Sequence, residues 1–295
     1  MNTKKHQKNE KTKEEKRIKT TYINRVELVK RSILHISITN EKERLILECI
    51  KKTIQNTTNN YYIVTPNPEM LVYAKNHVRF RTILNKAQIA LCDGVGLLWG
   101  GAILGISFKQ RITGVDFMRR LCEEGKDWPI TVGFLGGRDS VAEKVAECLK
   151  KQYPSLKIVF AAAEWSEENK IKDPIQISNL VAANEEQKTT KIQKKAQANT
   201  TYGTQMAIDI LFVAYGFPKQ EEWMASHINK VPVRIMMGVG GAFDYISGSV
   251  PRAPKLLRII GLEWFFRLVR QPWRLKRQIA LVKFAYLIIK EKFRS

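Results

Sequence analysis

The chain has 295 residues, of which 44% are hydrophobic, so it is long enough to bury the core of one large α/β domain. Its four cysteines show no Cys-x-x-Cys spacing, which argues against a zinc site and against a disulfide framework. No apolar run reaches the ~20 residues that span a bilayer, and we expect no secretory signal ahead of the core.

The formal net charge of +22 is concentrated at the two ends of the chain. Residues 1–20 carry eight Lys/Arg and three Glu (+5), and residues 251–295 carry twelve Lys/Arg and two Glu (+10). The residues between therefore hold only +7 (22 − 5 − 10). We interpret residues 1–20 as a disordered basic tail and expect the C-terminal arm to meet a phosphate-rich or anionic membrane partner.

Between the two ends, hydrophobic periodicity predicts helices that alternate with short buried strands. Such alternation is typical of an α/β fold with a Rossmann-like, mostly parallel sheet flanked by helices, and we assign residues 21–254 to this core. The predicted helices are 41–55, 67–87, 113–125 and 140–152, and the predicted strands are 61–64, 88–92, 131–135, 156–161, 210–214 and 234–237.

Two segments depart from this alternation. Residues 164–206 are polar, with six acidic and six basic side chains, and we interpret them as a solvated surface insertion, a lid over a site being the alternative. Residues 255–295 mix aromatic and basic residues at helical spacing, as in Trp264, Arg267, Trp273 and Arg274. This mixture suits a membrane interface, so a basic helical, membrane-associating appendage is predicted.

Several polar residues directly follow predicted strands, where ligands bind in parallel sheets. Asp93 ends an apolar strand and is either a general base or a helix cap. Thr65 and Asn67 end another strand and either bind a ligand or cap the next helix. The strands before Gly216 and Gly238 also run into glycine-rich loops, which allow backbone N–H groups to approach an anion.

Further candidates carry charge or amide groups at the same predicted edge. Arg111 offers a guanidinium fork for a diphosphate, or forms a surface ion pair. Gln220 and Glu221 begin a helix after Pro218. Their predicted role there is either contact with a ligand or a favourable interaction with the helix dipole in its first turn. Asp244 either binds a ribose or starts a turn.

Two cofactor classes are disfavoured by spacing. Gly94, Gly96, Gly100 and Gly101 do not match the Gly-x-Gly-x-x-Gly dinucleotide fingerprint. The strand-end loops contain no Asp-x-Asp pair of the kind that holds a divalent metal beside a sugar nucleotide. We therefore expect neither a cofactor nor a metal, so that arginines and helix N-termini would stabilise the leaving group.

Taken together, a series of motifs in one order resembles the WecG/TagA/CpsF glycosyltransferase family. The resemblance covers residues 25–290 apart from the insertion. The motifs are Thr65-Pro-Asn-Pro-Glu, Asp93-Gly-Val-Gly, Arg111-Ile-Thr-Gly-Val-Asp, Gly133-Phe-Leu-Gly-Gly, Tyr215-Gly-Phe-Pro-Lys-Gln-Glu-Glu-Trp, Gly238-Val-Gly-Gly-Ala-Phe-Asp, Arg252-Ala-Pro and Gly261-Leu-Glu-Trp.

The resemblance implies a metal-independent, inverting enzyme that moves N-acetylmannosamine from UDP to polyprenyl-diphosphate-linked N-acetylglucosamine, for a cell-surface polymer such as teichoic acid. It implies that Asp93 is the base, with Thr65 and Arg111 beside it, and that the C-terminal arginines close over the site. The residues that we assign to substrate binding are Asn67, Gly94, Gly136, Gln220, Glu221, Gly240, Asp244, Arg267, Arg274 and Arg277.

The implied location is cytoplasmic, at the inner face of the plasma membrane, with a UDP-sugar, a lipid-linked acceptor and an anionic membrane as partners. The Ala-Ala-Ala-Glu-Trp segment ending at Trp165 and the insertion depart from the family pattern, so N-acetylmannosaminuronic acid or another hexose stays an alternative. The sequence leaves open whether the chain forms a homo-oligomer. The charge also leaves a nucleic-acid-binding protein or an inactive membrane scaffold as alternatives, although we expect no nucleic-acid partner.

Overall fold

The structure, a computed structural model, describes residues 18–23, 26–56, 60–138, 140–165 and 208–294. Two β-sheets and the helices packed on them make up this part of the chain. The strands are β1 (Ile18–Ile23), β2 (Val26–Ile33), β3 (Ile36–Thr39), β4 (Tyr61–Val64), β5 (Ile89–Ala90), β6 (Thr131–Gly136), β7 (Lys157–Ala162), β8 (Ile208–Ala214) and β9 (Val233–Gly238). The helices are α1 (Glu43–Asn56), α2 (Pro68–Asn76), α3 (Val78–Lys86), α4 (Val95–Ile103), α5 (Gly114–Glu124), α6 (Val141–Gln152), α7 (Lys219–His227), α8 (Ala242–Ile246), α9 (Lys255–Ile259), α10 (Glu263–Arg270) and α11 (Leu275–Arg294), with a 3₁₀ turn at Pro272–Arg274.

The larger sheet has six strands in the order β5-β4-β9-β8-β6-β7, and all of its pairings are parallel. Its central strands are almost wholly buried because helices cover both faces, as expected for a continuous apolar run in a parallel sheet. The predicted α/β fold is therefore confirmed. Because the strands are parallel, the loops after β4, β5, β8 and β9 open at one edge.

A second sheet near the N-terminus was not predicted. Strands β1, β2 and β3 form an antiparallel meander, and β2 alternates buried and more exposed side chains. The meander is tied to the edge of the large sheet, since the Ala90 N–H donates to Thr39 Oγ1 (3.0 Å) and Lys30 Nζ donates to the Ala87 carbonyl (2.8 Å). Because β1 begins at Ile18, the predicted tail of residues 1–20 is too long by its last three; residues 1–17 lie outside the described part.

Two predicted elements change at their boundaries. The single helix predicted over residues 67–87 is wrong, because His77 leaves helical geometry (φ −121°, ψ 87°) and divides it into α2 and α3. The His77 ring stacks on Tyr73 at a centroid distance of 3.6 Å, which holds this break. The predicted strand 88–92 is shorter in the structure, since β5 covers only Ile89–Ala90, although the Leu91 N–H still donates to the Val64 carbonyl of β4 (2.9 Å).

Helix α4 was also missed, because its glycines conceal a helical pattern. Those glycines permit close packing: a Cβ on Gly96 would lie 2.7 Å from Pro68 Cγ, and one on Gly100 would lie 2.8 Å from Phe284 Cζ. α4 therefore supports the C-terminal helix α11, whose Phe284 and Ile288 are buried.

The C-terminal helices lie against the core, at the edge where the strands end. α11 packs on α2 and α4. Arg252, just before α9, joins the two parts through paired hydrogen bonds to Asp116 (2.6 and 2.8 Å) and one to Glu263 (3.0 Å). No helix in the described ranges is both long and apolar enough to cross a membrane. Most of the predicted insertion, residues 166–206, lies outside those ranges.

Candidate active site

A pocket of about 330 Å³ opens where β4, β5, β8 and β9 end and α10 and α11 cover the edge. Both the core and the C-terminal helices contribute side chains to it. The sequence-predicted residues that line it are Thr65, Asn67, Asp93, Gly94, Arg111, Gln220, Gly240, Arg267, Arg274 and Arg277.

Asp93 stands in the loop between β5 and α4 and is largely buried. Burial raises the pKa of its carboxyl to about 6, whereas the hydrogen bond that Oδ2 accepts from the Gly114 N–H (3.3 Å) acts in the opposite direction. The nearby Glu263 carboxylate raises this pKa further. At neutral pH the group is thus mostly ionised, yet more basic than an ordinary aspartate, as general-base catalysis requires.

Thr65 and Asn67 lie on the loop after β4, on the same pocket wall. The Thr65 hydroxyl donates to the carbonyl of Gly238 at the end of β9 (3.2 Å), and this bond fixes the hydroxyl oxygen at the pocket. Asn67 Oδ1 accepts from the Met70 N–H (3.0 Å). Asn67 therefore caps α2, which is one of the two roles predicted for it.

Two helices begin at the pocket, with the positive ends of their dipoles beside it. α4 follows Gly94, whose φ of +91° suits glycine and whose missing side chain leaves the first N–H groups uncapped. α5 begins at Gly114, where the N–H already binds Asp93. Their dipoles make this end of the pocket favourable for an anion such as a diphosphate.

Three arginines of the C-terminal helices converge on the same pocket. Arg267 pairs with Asp244 (3.0 Å) and Arg277 pairs with Glu69 (2.9 Å). Arg274 donates to Gln271 Oε1 (2.6 Å) and forms no ion pair with any residue in the described ranges. Burial, together with Arg267 and Arg277, lowers the Arg274 pKa to about 10, which reflects uncompensated positive charge.

Arg111 and Arg267 each lie against the backbone of another segment. Arg111 Nη2 donates to the Arg258 carbonyl of α9 (3.0 Å), so this predicted diphosphate ligand also anchors the C-terminal helices. Arg267 lies on Gly241, where a Cβ would be 2.7 Å from Nη1, and its guanidinium is 4.9 Å from the Tyr245 ring centre. A side chain at position 241 would therefore displace the guanidinium.

Gln220 and Glu221 form a buried chain of hydrogen bonds at the start of α7. Gln220 Oε1 accepts from the Gly240 N–H (2.9 Å), and Gln220 Nε2 donates to Glu221 Oε1 (2.6 Å). Glu221 is fully buried, its Oε2 has no hydrogen-bond partner among the described residues, and burial raises its pKa to about 7. Gln220 therefore reaches the pocket, whereas Glu221 lies behind it and orients Gln220.

The other two predicted ligands are also outside the pocket lining. Asp244 lies in α8 and its carboxylate accepts from Arg267, so it orients an arginine of the site. Gly136 ends β6 with a φ of +107°, where a Cβ would be 2.9 Å from the Ala214 backbone. Close approach between neighbouring strands explains this glycine.

Similarity to known proteins extends over all the elements that form this pocket. The model of the "Glycosyl transferase WecG/TagA/CpsF family" matches residues 31–295, which include β4 to β9 and the C-terminal helices. The chain belongs to this family. It is therefore a glycosyltransferase of the WecG/TagA/CpsF type, as its motifs implied.

Three curated relatives share one description. An N-acetylglucosaminyldiphosphoundecaprenol N-acetyl-beta-D-mannosaminyltransferase of Staphylococcus aureus strain MW2 is 29% identical over 261 residues, covering 88% of this chain and 92% of the relative. The protein with the same description from strain NCTC 8325 / PS 47 is also 29% identical over the same shares, and that from strain MRSA252 is 28% identical.

The site of this family member includes residues that sequence reasoning did not assign. Gly114 supplies the N–H that contacts Asp93, Glu69 holds Arg277, and Tyr245 contacts Arg267. Gly114 and Glu69 lie inside recognised motifs, so motif membership was an available signal. Tyr245 had no comparable signal, because its role depends on the fold that brings α10 over α8.

Within the described ranges, no three His, Cys, Asp or Glu side chains come together in a way that would hold a metal ion. The cations that face the pocket are instead guanidinium groups, from Arg111, Arg267, Arg274 and Arg277.

Proposed function

We propose that this family member transfers N-acetylmannosamine from a UDP-sugar to N-acetylglucosamine carried on a polyprenyl diphosphate, in the synthesis of a cell-surface polymer. The description of its relatives supports the sugar and the acceptor. The observation that carries the proposal is the pairing, in one pocket, of the largely buried Asp93 with the arginine cluster of Arg267, Arg274 and Arg277.

The chemistry is a single displacement. The Asp93 carboxylate accepts the proton of the acceptor 4-hydroxyl while that oxygen forms a bond to the anomeric carbon of the donor. The bond from the anomeric carbon to the diphosphate oxygen breaks, its electron pair leaves with UDP, and the anomeric configuration is inverted. Thr65 lies next to this path and its fixed hydroxyl oxygen is available to the sugar.

The departing UDP carries the negative charge that develops in this step. Arg111, Arg267 and the N-terminus of α4 stabilise that charge, so no metal ion is required. The protein acts at the cytoplasmic face of the plasma membrane, where the basic C-terminal segment meets anionic lipid and the lipid-linked acceptor resides.

The direct test is release of UDP from UDP-N-acetylmannosamine in the presence of a polyprenyl-diphosphate N-acetylglucosamine acceptor. We expect acceptor-dependent release that persists in EDTA and falls by 100-fold or more in Asp93→Asn, since general-base catalysis contributes about 10²–10⁴-fold. Asp127→Asn, an exposed aspartate outside the pocket lining, is the matched control and should be unaffected.

Each other outcome changes a particular part of the proposal. Undiminished turnover by Asp93→Asn would remove Asp93 as the base, and loss of turnover in EDTA would contradict metal independence. If wild type is inactive with this donor but active with UDP-N-acetylmannosaminuronic acid or another UDP-hexose, the donor is wrong and the reaction class stands. Inactivity with every donor would favour the membrane scaffold.

A further inference from the structure

A second cavity, of about 600 Å³, lies between α4 and α11 and adjoins the catalytic pocket. We call it the apolar groove. Its volume is within the range of small-molecule sites. The side chains that make it apolar are Pro68, Trp99, Ile103, Leu281, Val282, Phe284, Ala285 and Ile288.

The groove has a buried base and exposed sides. Phe284 and Ile288 are buried against Gly100 and form its base. Trp99 and Val282, on opposite helices, are 63% and 72% exposed. Apolar side chains that face water around a concave surface favour an apolar occupant, because covering them removes apolar area from water.

The groove and the catalytic pocket share one boundary. Residues that line both cavities include Gly94 and Val95 at the start of α4, and Trp264, Arg274 and Arg277 on the C-terminal helices. Arg274 is there without an acidic partner among the described residues. A ligand that spans both cavities would thus meet apolar walls, then cations, and then Asp93.

We propose that the apolar groove binds the isoprene units nearest the diphosphate of the acceptor, with Arg274 and Arg277 binding the diphosphate itself. This inference rests on the proposed function, because it takes the acceptor from that proposal. Each part of a prenyl-diphosphate sugar then has a matching surface: hydrocarbon in the groove, anionic phosphates at the arginines, and the sugar hydroxyl at Asp93. The groove would hold the acceptor sugar in register with the base.

The test compares two substitutions on the same helix. Val282→Glu places a charge in the groove, whereas Phe293→Glu places one at an 86% exposed position that does not line it. Transfer is measured in detergent with two acceptors. One carries a polyprenyl chain on the diphosphate sugar, and the other carries a methyl group in place of that chain. For Val282→Glu we expect the KM of the polyprenyl acceptor to rise at least 10-fold, with the KM of the UDP-sugar and of the short acceptor unchanged.

Three results would overturn the proposal. Equal losses with both acceptors would show a structural effect of Val282→Glu, and equal effects of Phe293→Glu would show general contact with micelle or bilayer. A wild-type dimer that Val282→Glu converts to a monomer, with acceptor KM unchanged, would show that a second copy of the chain covers the groove.

A binding measurement separates this inference from the proposed function. Farnesyl diphosphate should change the fluorescence of the wild-type protein, since Trp99 and Trp264 line the groove, and it should bind at least 10-fold more weakly to Val282→Glu. If this holds while N-acetylmannosamine transfer is absent, the groove stands and the assigned reaction fails. If transfer occurs and neither prenyl binding nor KM responds to Val282→Glu, the groove assignment fails alone.

Discussion

At the residue scale, burial gives two carboxyl groups of the site unusual proton affinity. Asp93 faces the pocket, and burial raises its pKa to about 6. Glu221 lies behind the pocket, and burial raises its pKa to about 7. The two groups differ in exposure, so titration of Asp93 should affect catalysis and titration of Glu221 should affect stability.

The pH dependence of transfer follows from Asp93. A general base works only when it is ionised, so kcat/KM for the acceptor should decrease as pH falls through about 6 and reach a plateau above about 7. An initial-rate series from pH 5 to pH 8 would measure this. A rate that stays level down to pH 5 would contradict either the raised pKa or the role as base.

Glu221→Gln should raise stability at high pH. The folded-state pKa of about 7 lies above the ordinary 4.5, so the folded protein retains the proton, and wild-type stability is lost as pH rises from about 4.5 through about 7. Glutamine removes this charge, which should stabilise the variant by about 2–3 kcal/mol at pH 8 and by little at pH 5.

Thermal unfolding at the two pH values measures the effect of Glu221→Gln. The neighbouring, exposed Glu222→Gln is the matched control and should show no such difference. Equal stability of wild type and Glu221→Gln at pH 8 would mean that the negative charge of the buried Glu221 carboxylate does not destabilise the folded protein.

At the element scale, the contact of α4 with α11 determines whether the C-terminal arginines reach the pocket. Gly100 lies at the centre of this contact, beside Phe284 and Ile288. The helices can approach closely only because position 100 has no side chain. The same packing forms the base of the apolar groove, so we expect binding of both proposed substrates to depend on it.

Gly100→Leu should separate the two helices. Overpacking of this kind costs about 1–3 kcal/mol, partly offset by the better helix propensity of leucine. We expect a lower Tm and a loss of transfer larger than the loss of stability explains, because Arg274 and Arg277 would move away from Asp93. Ala102→Leu, at an exposed position of the same helix, is the control. Full activity of Gly100→Leu would show that the arginines do not need this contact.

At the scale of the whole molecule, basic charge and exposed apolar side chains occur together in the C-terminal segment. Residues 251–295 carry +10 of the net charge of +22. Trp273 and Phe293 in this segment are 73% and 86% exposed. Cations and partly exposed aromatic groups suit the headgroup region of an anionic bilayer.

Binding to vesicles tests this surface. The protein should float with vesicles that contain phosphatidylglycerol, should bind less as salt is raised, and should bind weakly to neutral vesicles. Trp273→Glu combined with Phe293→Glu should reduce flotation at least severalfold. Deleting residues 255–295 should abolish both flotation and transfer, and a truncated protein that still floats would assign membrane binding to another region.

The sequence by itself determined the class of sheet and most of the residues at its edge. Buried parallel strands read as continuous apolar runs, and Thr65 and Asp93 followed such runs directly. The N-terminal meander and α4 escaped detection, because β1 lies at the end of a lysine-rich segment and because glycines in α4 serve packing between helices that are distant in sequence.

Only the tertiary structure decided how each polar residue is used. It separated Gln220, which reaches the pocket, from Glu221, which orients it, and it showed that Asp244 holds Arg267. It also brought α11 beside α4, which created the junction of cations and apolar wall. Local sequence fixes backbone propensity and charge, whereas burial, pKa and ligand access depend on neighbours that only the fold brings together, such as Glu263 beside Asp93 and Phe284 beside Gly100.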